Sequence, residues 1–285
     1  MKPLYLQTRH GLIPDMSSAS YLYWKDKHVI ITGASSGIGE ALSTELVARG
    51  SKVGLIARRQ GKLESLVTQL NSSNQVAYAT ADVTDTVGMA QAVAKLEDSL
   101  GPCDILIANA GIYHKTDVLA FDAAKENAVI STNTQGVINS IAAVLPGMVS
   151  RKQGHVVAVS SIAAMIGLPA AASYSASKAA LVTFFQSLRV DLHSHGVKAT
   201  ITAPGFVDTP LITDEERETL KDLITAEQAA ERICEAIERN RSVDWFPWPT
   251  WLACRLLSFL PSGLYRRVVA HIPEMEETTP KQIRE

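Results

Sequence analysis

Cysteine is scarce in this chain, and long apolar runs are absent. The 285 residues include three cysteines, Cys103, Cys234 and Cys254, which lie far apart and form no C-x-x-C pair. An odd and dispersed set is more typical of reduced thiols in a cytoplasm than of a disulfide framework. No apolar run reaches the roughly 18 residues that a spanning helix needs. We therefore expect a cytoplasmic protein without a transmembrane helix.

Charge of one sign is also lacking, which excludes further classes of function. The formal net charge is −2, and no basic stripe interleaved with aromatic residues occurs, so nothing indicates a nucleic-acid partner. No H-E-x-x-H motif occurs, and the His193/His195 pair is better explained as a helix end before Gly196 than as a metal site. Apolar residues make up 46% and charged residues 20%, which is typical of a packed globular core.

From residue 26 onward, short β-branched runs alternate with helical patterns. Runs that are apolar throughout need cover on both faces, as strands of parallel sheets have, and regular alternation gives right-handed crossovers. The predicted strands are His28–Thr32, Lys52–Ala57, Val76–Thr80, Ile105–Ala108, His155–Ser160, Lys198–Thr202 and Ser242–Phe246. The predicted helices are Gly37–Arg49, Lys62–Leu70, Val87–Leu100, Ala123–Val149, Tyr174–His193 and Ala226–Arg239.

This alternation predicts an α/β fold over residues 26–246. We expect a single-domain, Rossmann-like, doubly wound parallel sheet of about seven strands with helices on both faces. Residues 1–25 are expected to form a loosely structured extension, and residues 247–285 an apolar, aromatic and helical tail.

A glycine-rich turn follows the first predicted strand. The segment Thr32–Gly39 reads T-G-A-S-S-G-I-G; its glycines allow a tight turn and close approach to a pyrophosphate at the N-terminus of the next helix. The same residues contain G-x-S-x-G, the nucleophile elbow of hydrolases, with Ser35 as nucleophile. An elbow follows several strands, however, and after the first strand no upstream loop can supply an oxyanion hole.

The end of the second predicted strand lacks an acidic residue. NAD-preferring sites place an acid there to accept the ribose 2′-hydroxyl, whereas this chain has Ala57 followed by Arg58 and Arg59. A guanidinium can clamp a 2′-phosphate, so NADP(H) is favoured, the alternative being that both arginines are solvated loop charges. Asp82, after the third strand, either accepts a hydrogen bond from the adenine amino group or caps the next helix.

Tyr174 and Lys178 stand four residues apart, on one face of a predicted helix. An ammonium near a phenol favours the phenolate, so Lys178 is expected to lower the pKa of Tyr174 from its usual value of about 10. Such a tyrosine can give or take a proton near neutral pH. Ser161 lies thirteen residues upstream, just past a strand end, where its hydroxyl can reach a substrate oxygen.

Taken together, these motifs resemble the classical short-chain dehydrogenase/reductases. The resemblance covers roughly residues 26–245. The matching segments, in order, are Thr32–Gly39, Asn109-Ala110-Gly111, Asn133-Thr134-Gln135-Gly136, Ser160-Ser161, Tyr174-x-x-x-Lys178 and Pro204–Thr209.

The resemblance implies a role for each of four catalytic residues. Tyr174 would exchange a proton with the carbonyl or alcohol oxygen, and Ser161, chosen over Ser160 by its spacing to Tyr174, would orient that oxygen. Lys178 would bind the nicotinamide ribose and Asn133 would hold a water in the proton relay, while Asn109 would mainly brace the sheet. The implied cofactor contacts are Gly33, Ser35, Ser36, Gly37, Ile38, Gly39, Arg58, Arg59, Asp82, Val83, Asn109, Ala110, Gly111, Tyr174, Lys178, Pro204, Gly205, Val207 and Thr209.

The expected activity is hydride transfer between NADP(H) and an apolar ketone, aldehyde or secondary alcohol, used in the cell for reduction. By its position, the charged segment Thr213–Glu218 would be a substrate lid. The alternative function is a catalytically silent, NADP(H)-binding regulatory protein. The following residues either line an apolar substrate pocket or belong to the core: Met165, Ile166, Leu168, Phe206 and Leu211.

The segment from Asp244 onward contains three of the four tryptophans, Trp245, Trp248 and Trp251. On a helix, Trp251, Leu252, Leu256, Phe259 and Leu260 share a face, and Arg266 and Arg267 follow. Three interpretations stay open: packing on the domain or a partner subunit, contact of residues 245–270 with a membrane surface, or a wall of the substrate channel.

The resemblance also implies self-association. Members of the family pair through two long central helices, which correspond here to Ala123–Val149 and Tyr174–His193. A homodimer or homotetramer is therefore expected.

Overall fold

The computed structural model describes residues 5–8, 11–14, 18–71, 75–212, 217–218, 220 and 223–269. The strands are β1 Tyr5–Thr8, β2 Gly11–Pro14, β3 His28–Thr32, β4 Lys52–Ala57, β5 Val76–Thr80, β6 Ile105–Ala108, β7 Gly154–Val159, β8 Val197–Pro204, β9 Val207–Asp208, β10 Ile224–Thr225 and β11 Val243–Phe246. The helices are α1 Ser18–Trp24, α2 Gly37–Ala48, α3 Gln60–Leu70, α4 Thr86–Leu100, α5 Ala123–Ile130, α6 Gly136–Arg151, α7 Ala172–His193, α8 Ala226–Glu238, α9 Trp248–Leu257 and α10 Ser262–Val269.

Seven strands form one parallel sheet in the order β11-β8-β7-β6-β3-β4-β5. The predicted doubly wound α/β fold is confirmed, and each predicted strand is present to within a few residues. The chain runs outward from β3 to β5 and then returns to β6 on the other side of β3. The adjacent ends of β3 and β6 are therefore the topological switch point, where sheets of this kind bind ligands.

Alternation along the strands divides the core into two halves. Successive side chains of a strand point to opposite faces, so Ile30 packs against α4 and α7 through residues such as Met89 and Phe185. Its neighbour Ile31 packs on the other face, among Leu42 of α2 and Ile233 of α8. Both faces of the sheet are thus covered, and most residues of the strands are apolar.

The segment before the sheet is not entirely loose. Residues Ser18–Trp24 form α1, and Trp24 is fully buried. Its Nε1 donates a 2.6 Å hydrogen bond to Oε1 of Glu238 at the end of α8, and Arg49 pairs with the same carboxylate. The expectation of a loosely structured extension is wrong for α1, because one large apolar side chain anchors it. The division at residues 25 and 246 remains a prediction.

The long helix predicted over Ala123–Val149 is interrupted. α5 ends at Ile130, the five residues Ser131–Gln135 form a π-helical turn, and α6 continues from Gly136. One extra residue in the turn changes the direction of the side chains that follow. The turn contains Asn133, which is fully buried.

The other end of the domain follows the sequence more closely. A capping box begins α8, with Thr225 and Gln228 bonding each other's backbone. The tail forms α9 and α10, which confirms its helical character. Within the described ranges, no helix combines the length and apolarity needed to cross a bilayer.

Candidate active site

The glycine-rich turn lies at the end of β3, beside the N-terminus of α2. Gly33 and Gly37 adopt positive φ angles of 68° and 57°, which glycine alone adopts without strain. A Cβ on Gly39 would lie 2.3 Å from the carbonyl oxygen of Gly33, and one on Gly37 would lie 3.0 Å from Thr209. The turn therefore requires small residues, and it brings the segment after β8 against the start of α2.

Hydrogen bonds hold the ends of β3 and β6 together. The Thr32 hydroxyl accepts from the backbone N–H groups of Asn109 and Ala110, both at 3.1 Å. The Asn109 side-chain amide donates to the Thr32 carbonyl oxygen at 3.1 Å. Asn109 thus braces the switch point, which is the role implied for it by the resemblance.

Arg59 lies over the glycine-rich turn. Its guanidinium donates to the Ser35 hydroxyl, with Nη2 at 2.8 Å, and to the Ser36 hydroxyl at 2.7 Å. A guanidinium cannot act as a general base, so Arg59 does not supply the base that the hydrolase hypothesis needs at Ser35. Arg59 is nevertheless exposed, as is Arg58, so its role toward a 2′-phosphate stays a prediction.

Asp82 lies in the loop after β5, opposite Arg58 in the loop after β4. Its Oδ2 is 3.5 Å from Nη1 of Arg58, and its Oδ1 accepts from the backbone and hydroxyl of Thr84. These contacts lower the pKa of Asp82 despite the opposing effect of desolvation. The cap of α4 is Asp85, which accepts from the Val87 N–H. The helix-cap interpretation of Asp82 is therefore wrong, and its Oδ2 faces Arg58 at the end of β4.

Val83, the next predicted contact, is buried beneath this edge. A Cβ on Gly136 would lie 2.5 Å from the Val83 side chain, and Asn139 donates to the Val83 carbonyl oxygen at 2.9 Å. Val83 thus joins the end of β5 to α6. Ile38 lies half-buried in the first turn of α2.

Asn133 joins the loop after β6 to the helix that carries the tyrosine. Its Oδ1 accepts from the Ile112 N–H at 2.8 Å, and its Nδ2 donates to the Ile112 carbonyl oxygen at 2.9 Å and to Ser177 at 3.1 Å. A Cβ on Gly111 would lie 3.3 Å from Oδ1 of Asn133 and 3.5 Å from Nζ of Lys178. The structure therefore brings these three residues to one point.

Lys178 is nearly inaccessible, at 4% exposure, and its Nζ donates to the Val159 carbonyl oxygen at 2.8 Å. Burial penalises the ammonium and lowers the pKa of Lys178 from 10.5 to about 8. The ammonium lies 5.7 Å from the centre of the Tyr174 ring. The four-residue spacing thus places both groups on one face of α7, as predicted.

The expected lowering of the Tyr174 pKa is not found. Tyr174 is half-buried, and desolvation raises its pKa above the usual value of 10.0. A side-chain hydrogen bond with Ser161 acts in the opposite direction but is the smaller effect. The sequence-based expectation is wrong in this structure because the cost of removing a phenolate from water raises the pKa more than the hydrogen bond with Ser161 lowers it.

The two serines after β7 have different surroundings. The Ser160 hydroxyl donates to the Lys178 carbonyl oxygen at 2.9 Å and is 2% exposed. Ser161 is 9% exposed, caps the 3₁₀ turn Ile162–Ala164 and bonds Tyr174. Ser160 therefore holds α7 against the sheet, while Ser161 faces the tyrosine hydroxyl.

Two residues of this site are missed by sequence reasoning. The Tyr113 ring contacts the Tyr174 ring edge-on, with centroids 5.5 Å apart. Ser177 accepts from Asn133 and donates to the Tyr174 carbonyl oxygen at 2.7 Å. Ser177 lies inside Tyr174-x-x-x-Lys178, so its position is visible in the sequence, but only the fold shows that it joins two catalytic segments.

The proposed substrate pocket residues are not core residues. Phe206 and Leu211 are 37% and 42% exposed, and the three from the loop after Ser161 are partly exposed. The proposed lid is not described as a whole, since residues 213–216 lie outside the described residues; Arg217 of this segment bonds Asp208 at 2.7 Å. Pro204 and Val207 are buried, and Gly205 packs beneath Pro247.

Comparison with known proteins gives this arrangement a family. A family model described as short chain dehydrogenase matches residues 27–220. An uncharacterized oxidoreductase of Myxococcus xanthus (strain DK1622) is 36% identical over 237 residues, or 83% of this chain and 93% of the relative. The chain belongs to the short-chain dehydrogenase family. Another relative, dehydrogenase/reductase SDR family member 7B of Bos taurus, is 32% identical over 267 residues, or 87% of this chain and 82% of the relative.

Solved structures share the fold of this short-chain dehydrogenase. The crystal structure of levodione reductase superposes with a TM-score of 0.74 at 23% identity, over 80% of this chain and 99% of that one. At this identity the similarity concerns the fold alone.

This short-chain dehydrogenase is an oxidoreductase of a family that uses nicotinamide dinucleotides. The residues at the switch point fit such a group, because Gly33 and Gly39 carry no Cβ and let the turn pack tightly. A Cβ on Gly33 would lie 2.7 Å from Cα of Ala110, and one on Gly39 would lie 2.3 Å from the carbonyl oxygen of Gly33. The N-terminus of α2 follows this turn directly. Its first N–H groups have no partner within the helix, and the Ser36 side chain does not cap them. Both features are needed for a backbone to approach a pyrophosphate closely.

Proposed function

We propose that the protein is an NADP(H)-dependent reductase of apolar ketones or aldehydes, which also oxidises the corresponding secondary alcohols. The convergence of Ser161, Tyr174, Lys178 and Asn133 at the carboxyl end of the sheet carries this proposal. The half-exposed apolar residues after Ser161 and after β8 support an apolar substrate.

The proton chemistry follows from the pKa values. Since burial raises the pKa of Tyr174, its hydroxyl is protonated at neutral pH, which is the form that donates to a carbonyl oxygen. The Ser161 hydroxyl bonds the same phenol and can orient the substrate oxygen beside it. A bound nicotinamide supplies or accepts the hydride. In alcohol oxidation Tyr174 takes the proton back.

Lys178 and Asn133 support this proton transfer. The Lys178 ammonium faces the Tyr174 ring and would bind the ribose of the dinucleotide. Asn133 holds the loop carrying Gly111 and Ile112 through a pair of backbone hydrogen bonds. The same amide bonds Ser177 of α7, so one side chain joins the loop to the helix that carries Tyr174.

The test of this function is a screen with purified protein. We expect tighter binding of NADPH than of NADH, and NADPH oxidation, followed by its absorbance, with members of a panel of apolar ketones and aldehydes. A catalytically silent binding protein would bind NADPH and oxidise none of the panel. That second outcome would contradict the proposed reaction while leaving the dinucleotide site in place.

Preference for NADP(H) is proposed from Arg58 and Arg59. Replacing both with alanine should reduce the affinity for NADPH by at least about 10-fold and leave the affinity for NADH nearly unchanged, since each charge-assisted hydrogen bond to a phosphate contributes about 1.5–3 kcal/mol. Fluorescence titration with both dinucleotides measures this change. Arg239→Ala, an exposed arginine at the end of α8, is the matched control. Unchanged NADPH preference in the double variant would defeat the assignment.

The assembly state remains a proposal as well. We propose pairing through the face formed by α5, α6 and α7. Ile138 of α6 and Val190 of α7 expose 38% and 75% of their side chains, which is consistent with such a contact. A cytoplasmic location is likewise proposed, together with the membrane contact argued next.

A further inference from the structure

The tail exposes a continuous apolar stripe. Trp248, Leu252 and Leu256 of α9 and Phe259 in the turn after it are spaced by four, four and three residues, so they lie along one side of the helix. Trp248, Leu256 and Phe259 expose 69%, 61% and 68% of their side chains. Leu264 and Val268 of α10 add a second exposed pair. We call these six residues the tail face.

The charged side chains that the structure describes in the tail, from residue 245 to residue 269, all have one sign. Arg255, Arg266 and Arg267 are exposed, and the Arg255 guanidinium lies 4.7 Å from the centre of the Phe259 ring. The sequence has no Asp or Glu from Trp245 to Pro273, and the next carboxylate, Glu274, lies outside the described residues. The whole chain has a formal net charge of −2, so this positive charge is local.

These two observations favour a lipid surface over a second copy. A two-fold contact between tail faces would place each set of arginines against itself, and like charges in an interface are repulsive. An anionic bilayer provides the complementary charge, and the combination of Trp, Phe and Leu with basic residues suits the boundary between headgroups and acyl chains. We propose that the tail face docks on the surface of an anionic membrane, with its apolar side chains below the headgroups.

The tail is also joined to the substrate side of the site. The Tyr265 hydroxyl donates to the Gly167 carbonyl oxygen at 2.6 Å, and α9 packs against the 3₁₀ turn Ile162–Ala164 that follows Ser161. Docking would therefore hold this loop close to the bilayer. The binding itself does not depend on the proposed reductase activity, so its test requires neither substrate nor turnover.

The test is co-sedimentation of the full chain with vesicles at low ionic strength. Vesicles of phosphatidylcholine are compared with vesicles in which part of it is replaced by phosphatidylglycerol. Because each arginine near an anionic surface contributes a factor of about 5, we expect about 100-fold tighter binding to the anionic vesicles. Arg266→Gln combined with Arg267→Gln should weaken it by about 30-fold. High salt should also release the wild-type protein.

The apolar contribution is tested by a pair of matched variants. Leu256→Glu should weaken binding by at least about 30-fold, because a carboxylate would enter the apolar boundary. Val87→Glu places the same charge at an exposed valine of α4, with 67% exposure against 61% for Leu256, and should bind as the wild type does. Circular dichroism and NADPH binding check that both variants are folded.

Three results would overturn the proposal. These are equal binding to the two kinds of vesicle, absence of binding, or an equal loss with Val87→Glu. Sedimentation velocity, which measures the oligomeric mass, tests the competing occupant, a second copy of the chain. A lower oligomeric mass for Leu256→Glu, with no vesicle binding by the wild type, would assign the tail face to a second copy of the chain.

Discussion

Tyr174→Phe should lower kcat for NADPH-dependent ketone reduction by at least about 10³-fold, within the range that general acid catalysis contributes. The variant keeps the aromatic ring and its edge-on contact with Tyr113, and removes only the hydroxyl that shares a hydrogen bond with Ser161. Binding of NADPH should stay within about 3-fold, since the loss is confined to the transition state. Steady-state kinetics and fluorescence titration measure the two quantities.

Tyr113→Phe is the control for this prediction. Its hydroxyl contacts the Ala170 carbonyl oxygen at 3.5 Å, and its ring would remain against Tyr174. We expect a change of less than about 10-fold in kcat, because no proton of the reaction passes through Tyr113. If Tyr174→Phe retained most of the activity, or if both variants lost it equally, Tyr174 would not be the acid.

Lys178→Met should abolish most activity and yet make the protein more stable at neutral pH. The folded state lowers the pKa of Lys178 from 10.5 to about 8, so keeping the ammonium buried costs roughly 3 kcal/mol of folding free energy. Methionine has a similar length and carries no charge. The gain should be smaller than this cost, about 1–2 kcal/mol, because the Val159 carbonyl oxygen loses its donor.

The stability advantage of Lys178→Met should depend on pH. Between pH 8 and pH 10.5 the folded protein binds fewer protons at Lys178 than the unfolded chain does, so the free energy of unfolding of the wild type rises with pH. Below pH 8 both states are protonated and the full cost is present. Urea denaturation at pH 7 and pH 9.5 should therefore show the advantage of Lys178→Met shrinking as pH rises. A variant less stable than the wild type at pH 7 would contradict the prediction.

The sheet could be predicted because each of its strands is a short run of mostly apolar residues, which a local sequence pattern reveals. Ile105–Ala108 is apolar throughout, and His28–Thr32 is apolar or β-branched from Val29 onward. Such strands must be covered on both faces, and both appear with the predicted bounds. The glycines of Thr32–Gly39 likewise have a local cause, a backbone that must turn tightly beside a helix start. These features depend on few neighbours, so a sequence pattern is sufficient.

What could not be predicted depends on contacts between distant residues. The π-helical turn at Ser131–Gln135 accompanies the bonds of Asn133 with Ile112 and Ser177, which no helical periodicity shows. The fully buried Trp24 bonds Glu238, which lies 214 residues further along the chain. The Tyr174 pKa is raised because desolvation, a property of the assembled pocket, outweighs what the four-residue spacing suggests.

The hydrogen bond between Trp24 and Glu238 constrains the order in which parts of this chain can fold during synthesis. Its two partners are 214 residues apart, and a ribosome releases the N-terminal one first. The indole therefore waits without its native carboxylate until nearly the whole catalytic unit has been translated. We infer that α1 packs against the domain late in biosynthesis, after the ribosome has released Glu238.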